Sequence, residues 1–233
     1  MKKKGSHVGM MISFLVFITF IAFLYSILEP SLKVNNDKDF LLNHLETEIL
    51  ENCSGEMASI TVINNSQSSY DCLKIDISPT GLNLTGSRLI VKDKDNTNVH
   101  YGYFGNTLWI ENNTNKLFKI YSSEFITPQN STVNCPVNST NYTIGLFRTE
   151  KYIFGKKIKN LISEINSNYE DVKDQFNVPP GGEFGLEFVD SKGTVTRTLE
   201  KNVSIDIFVN EVPINYIDNQ TNLVSGFINI KVW

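Results

Sequence analysis

The chain has 233 residues, with 21 basic against 25 acidic side chains and a hydrophobic content of 41%. A net charge of −4, with no basic cluster beyond the first few residues, offers nucleic acid no surface to bind. Past residue 29 the balance is 18 basic to 24 acidic, a net of −6, which serves solubility and specifies no partner.

Lys2, Lys3 and Lys4 stand just before an uncharged run at residues 8–28. A helix of that length spans about 31 Å, enough for the hydrocarbon core of a bilayer. Lysines before the run and Glu29 after it predict a single-pass membrane protein with a cytoplasmic N-terminus and everything from Pro30 onward outside. Pro30 is expected to end or bend the helix. A polar joint at 31–36 then leads to a second helix, capped by Asn36 or Asp37. Its apolar stripe is Phe40, Leu41, Leu42, Leu45, Ile49 and Leu50. The organisation predicted is a basic leader and anchor at 1–29, a joint and amphipathic helix at 30–52, and a β-rich outer domain at 53–233.

From Ser59 the apolar period becomes two. Ile60 with Val62, and Leu73 with Ile75 and Ile77, alternate with polar neighbours, and 88–91, 99–104, 107–110, 116–121 and 144–147 follow as strand candidates. Turn chemistry at 79–81, 95–96 and 105–106 separates them. A hairpin turn at 64–69 would join the first two strands. Residues 127–143, with Pro128 and Pro136, are expected to form an exposed loop. Ile158, Leu161, Ile162, Ile165, Tyr169, Val172 and Phe176 share one helical face, which predicts a single helix over about 156–176, stopped by Pro179 and Pro180. Its charges oppose the helix dipole, with Lys156, Lys157 and Lys159 at the start and Glu170, Asp171 and Asp174 near the end. Strand patterns return at 184–188, 194–199, 203–209 and 228–232. The fold class is α+β: an N-terminal transmembrane helix, then an antiparallel β-rich domain carrying one long amphipathic helix.

Asparagine is abundant, with 27 residues, and nine of them open the triplet N-x-S/T, where this Ser and Thr content predicts about four by chance. The nine are Asn52, Asn64, Asn83, Asn112, Asn130, Asn138, Asn141, Asn202 and Asn219. On an outer domain they are candidate glycan acceptors. Three cysteines, Cys53, Cys72 and Cys135, cannot all pair within one chain. Cys53–Cys72, Cys53–Cys135, Cys72–Cys135 and free thiols all remain open.

No chemistry-bearing constellation emerges. His7, His44 and His100 lack ligand-spaced partners, so no metal site is expected. The glycine-rich segment at 177–185 follows a helix and precedes a strand, the reverse of a phosphate cradle. No catalytic residue, no cofactor and no enzyme activity are expected. At the membrane end, Gly5, Gly9 and Ser13 are four apart, as are Ala22 and Ser26, and such spacing lets helices approach closely in lipid.

Lys2-Lys3-Lys4-Gly5, then Ser6 and the apolar run, resembles the class III signal of archaeal type IV pilin-like proteins. The resemblance covers about the first 29 residues by motif. It implies that a prepilin-type peptidase cuts between Gly5 and Ser6 and leaves the apolar helix on the mature subunit. Bacterial prepilins carry Glu at the fifth mature position, where this chain has Met10. Pro30 would interrupt the long helix of a major filament subunit. The function expected is a pilin-like cell-surface subunit, anchored or assembled through its N-terminal helix. Its partners would be the lipid bilayer, copies of itself or other pilin-like subunits, and the peptidase. The alternative is an uncleaved single-pass anchor displaying an extracellular binding or structural module.

Overall fold

The computed structural model describes residues 6–66, 71–80, 88–111, 116–128, 133, 135–199 and 207–233, with backbone only at 6–7, 28–36 and 79. It opens with one helix, α1 (Ser6–Cys53), of 48 residues. At the usual rise this is about 72 Å long. Pro30 neither ends it nor opens a joint at 31–36, contrary to expectation. A proline inside a helix deletes the hydrogen bond to the carbonyl four residues back, here that of Ser26, and crowds it. The hydrogen-bonded turns on either side carry the helix across that one missing bond.

No loop follows α1. The chain passes directly into β1 (Ser54–Asn64), the strand around which the domain is organised. The turn is tight because Gly55 lies against the Phe125 ring, where a Cβ would approach within 2.4 Å. On one side β1 pairs antiparallel with β6 (Leu117–Ser123), and on the other with β8 (Tyr142–Phe154). The β8 register shifts between Ile60 and Val62, a bulge that sets Gly145 and Leu146 opposite Thr61.

The expected hairpin between the first two strands does not form. β2 (Cys72–Asp76) belongs to a second sheet, where it pairs with β5 (Thr107–Glu111) and, in parallel, with β7 (Asn138–Ser139). Both edges of β1 are already taken, so Leu73 and Ile75 reach Ile60 and Val62 by stacking across a sandwich. β3 (Arg88–Asp93) borders β6 and β4 (Tyr101–Phe104) borders β5. The expected loop at 127–143 thus includes a short strand, β7.

The predicted helix at 156–176 is two helices, α2 (Gly155–Ser167) and α3 (Tyr169–Gln175), broken at Asn168, whose φ and ψ are −137° and 54°. The break relieves part of the dipole conflict, although Lys156 and Lys157 still open α2 and Asp174 still lies at the end of α3. Glu170 and Asp171, unfavourable late in one long helix, now occupy the first turn of α3, where negative charge is favoured. The apolar face survives, since Ile158, Leu161, Ile162, Ile165, Val172 and Phe176 are all buried.

β9 (Phe184–Val189), β10 (Val195–Arg197), β11 (Phe208–Ile217) and β12 (Leu223–Val232) complete the chain. Among the described strands the sheets run β10-β9-β12-β11-β8-β1-β6-β3 and β4-β5-β2-β7. Two cores result. α1 and α2 cover β9, β11 and β12 in one, and the two sheets enclose Ile60, Leu73, Phe118 and Ile120 in the other. Met57, Ile90, Ile126, Phe154 and Ile217 form a smaller cluster.

Three hairpins use the same turn. Asp93, Asp190 and Asp218 each accept two backbone N–H bonds, from Asp95 and Thr97, Lys192 and Thr194, and Gln220 and Asn222. The fourth residue of each, Asn96, Gly193 or Thr221, has a positive φ of 63°, 78° or 60°. This is a type I turn closed by a left-handed residue, with aspartate bonding its own turn.

Candidate functional site

The lower half of α1 is the strongest candidate. Residues Val8–Ile27 have a mean hydropathy of 2.4, and none is buried by the rest of the chain. No charge falls among them. The one hydroxyl with a described bond, Thr19 Oγ1, donates to the Val16 carbonyl at 2.9 Å and stays inside the helix. The chain thus has one N-terminal helix long and apolar enough to span a membrane.

The upper half of the same helix is fixed to the domain. Leu41, Leu42, Leu45, Ile49 and Cys53 are buried against α2 and the β9–β12–β11 sheet. Polar bonds flank this stripe: His44 Nε2 donates to the Phe176 carbonyl at 2.8 Å, and Asn210 Nδ2 donates to Glu46 Oε2 at 2.9 Å. Lys151 pairs with Glu51, and Lys157 Nζ donates to the Ser54 carbonyl. From Ile27 to Leu41, the first buried side chain among the described ones, is 14 residues, about 21 Å of helix.

Ser6, at the expected cleavage bond, is the first described residue and is helical, and Gly5 lies outside the described residues. The nine acceptor asparagines divide sharply. Asn138, Asn141 and Asn219 are exposed, Asn52 is half-buried at the end of α1, and Asn64 is only 8% exposed. Asn64 Oδ1 accepts the Ser66 N–H. Asn83, Asn112, Asn130 and Asn202 lie outside the described residues.

The cysteines resolve as Cys72–Cys135, with Cys53 free and buried. Cys53 ends α1 and Cys72 opens β2 in the second sheet, so the two do not meet. The bridge ties β2 to the segment leading into β7. Burial pushes the Cys53 thiol up to about 12, with Lys157 opposing the shift weakly.

Of three cavities in the domain, only one touches α1. The largest, about 690 Å³, lies between Phe40, Leu41 and His44 of α1 and the loop of Pro179, Pro180 and Gly182. A polar one of about 450 Å³ lies among Lys159, Asp190, Tyr216, Asp218 and Asn222. There the Asp190 carboxyl is held below its usual range by the Thr194 N–H above all, then by Lys192 N–H and the Lys159 charge. The third, about 250 Å³, lies beside Tyr169 and Trp233. Among the described residues no three His, Cys, Asp or Glu side chains converge as a metal site. His44 and His100 stand apart, the first on α1 and the second exposed before β4.

The strand pattern expected at 203–209 meets only the start of β11, with 203–206 outside the described residues, and Pro213 in the middle of β11 hid the rest. Periodicity also could not mark the Cys72–Cys135 bond, which joins residues 63 apart. No protein-family model, no curated protein and no solved structure matches the chain.

Proposed function

We propose that the chain is a pilin-like surface subunit, held in the membrane or assembled with its copies through the apolar half of α1. Its glycosylated β-rich domain faces the outside. The observation that carries this reading is the continuity of α1: one helix is bare and apolar below and welded into the domain above. A subunit of this shape can exchange lipid for the helices of its neighbours without rebuilding its head. The basic leader supports it too, since removing residues 1–5 would discard Lys2, Lys3 and Lys4, whose charges oppose movement of the helix through lipid.

N-terminal determination on protein extracted from its native membrane tests the proposal. Ser6 as the first residue is expected, and Gly5→Leu should leave the precursor uncut. Lys2 to Lys4 retained on the mature protein would overturn the pilin-like reading in favour of an uncleaved anchor. Met10, standing where bacterial prepilins have Glu, favours that second reading.

A further inference from the structure

The sandwich has one open side. β8 pairs with β1 along most of its length, but with β11 only at Ile153 and Phe154. Among the described residues no strand lies along the outer side of 142–152. β7, which leads into β8, is likewise the last described strand of the four-stranded sheet. Free edges present unpaired backbone donors and acceptors to any other extended chain, and proteins ordinarily guard them with charge.

Here the guard covers only half of the edge. Arg148, Glu150 and Lys151 occupy the part of β8 nearer α1. Residues 125–147 carry no charge at all. Leu146, 54% exposed, and Phe147, 42% exposed, stand bare in the unguarded half. An uncharged β segment with exposed apolar side chains on an open edge is a template for strand addition.

Two acceptor triplets fall in this stretch, and both are open in the folded state: Asn138, Thr140, Asn141 and Thr143 are all exposed. Other sites contrast with them. Asn64 is buried, and the Asn219 triplet ends in Thr221, which is 6% exposed with its hydroxyl donating to the Gln220 carbonyl. Asn141 donates one amide hydrogen to the Asn65 carbonyl at 3.3 Å, which leaves its second hydrogen for substitution by a sugar. Leu146 lies five residues past Asn141, about 17 Å along the strand.

We propose that N-linked glycans on Asn138 and Asn141 take the place of the missing charges and shield this edge from pairing with a second copy of the chain. The inference rests on the glycoprotein part of the proposed function. A hydrated oligosaccharide anchored beside β8 excludes an incoming strand by bulk, whatever the sequence of that strand.

The test uses the full chain, expressed in its native host and extracted in detergent, with Thr149→Cys as a reporter at the centre of the β8 edge. Glycopeptide masses should show sugar at Asn138, Asn141 or both. Asn138→Gln with Asn141→Gln should raise disulfide-linked dimers through the reporter several-fold over the glycosylated chain. Thr140→Ala with Thr143→Ala, which removes the sugars while keeping both asparagines, should do the same. Leu146→Lys added to either should return the dimer to its starting level. Absence of sugar at both sites would overturn this inference together with the glycoprotein reading. Sugar present but cross-linking unchanged on its removal would overturn the shield alone.

Discussion

Asn210 on β11 donates its amide hydrogen to Glu46 Oε2 on α1 at 2.9 Å, across 164 residues of chain. The bond lies beside the apolar seam that α1 shares with the final hairpin, where Leu42, Leu45 and Ile49 meet Val212, Ile228 and Ile230 in one cluster. A lone half-buried polar bond contributes only modestly to stability. Its value is directional, since it fixes the rotation of α1 about its axis while the seam supplies the burial. The helix is therefore a structural member of the domain.

That burial sets the first prediction. Ile49→Ala and Leu161→Ala each empty a position that is at most 2% exposed, facing the same core from two helices. Each should cost about 2–5 kcal/mol in denaturant unfolding. Phe104→Ala, at a side chain 82% exposed, should change stability by less than about 0.5 kcal/mol. Equal effects from all three would mean that the α1–α2 seam is not the core.

Much of this was readable from residue order, and the failures have a common cause. The apolar face of α2, the alternation in β9 and β12, and the α1 stripe from Leu41 to Ile49 are local patterns, so periodicity finds them. Pairing is non-local: nothing near Cys72 says that β2 stacks on β1 instead of lying beside it. Most of β11 was hidden because Pro213 argues against a strand. Yet β8 meets β11 only at Tyr216 and Ile217, so Pro213 can turn its nitrogen toward a side where no described strand runs. The acceptor triplets show the same limit. Asn64 and Asn138 look alike as sequence, and only the fold buries one and exposes the other.

The disulfide gives the second prediction. Cys72 and Cys135 close a loop of 63 residues. Loop-closure entropy for that length corresponds to about 4 kcal/mol. Cys72→Ala with Cys135→Ala should lower unfolding stability by roughly that amount, while the α1–α2 core stays folded by circular dichroism. A loss below about 1 kcal/mol would show that the bond forms too late or too loosely to restrict the unfolded chain.

Cys53 gives the third. Its thiol is fully buried where α1 meets β1, and its folded value of about 12 lies above the ordinary 9. The folded state therefore holds the proton more tightly than the unfolded state does. The resulting stabilisation is fully present below about pH 9 and is lost as pH rises toward about 12. Folded protein at pH 8 should leave Cys53 unreacted with a thiol reagent, and unfolding should release one thiol. Cys53→Ala should flatten the alkaline limb of stability against pH. Rapid labelling of the native protein would refute the burial.

The continuity of α1 through Pro30 is open to direct measurement, and it bears on which assemblies the subunit can enter. A joint at 31–36 would let the domain swing on its anchor. A continuous helix holds the domain a fixed distance above the apolar span and lets load pass along one rod. Spin labels introduced as Tyr25→Cys and Asp39→Cys, with Cys53 inert in the core, lie 14 residues apart on either side of Pro30. A continuous helix places those two backbone positions about 21 Å apart. A single narrow distance distribution is expected in detergent and in lipid, and Pro30→Ala should leave it nearly unchanged, because the proline removes only one backbone bond. A broad distribution that Pro30→Ala narrows would establish a hinge at the proline. The domain would then be a tethered module, and the rigid-rod geometry that favours packing with copies of itself would be lost.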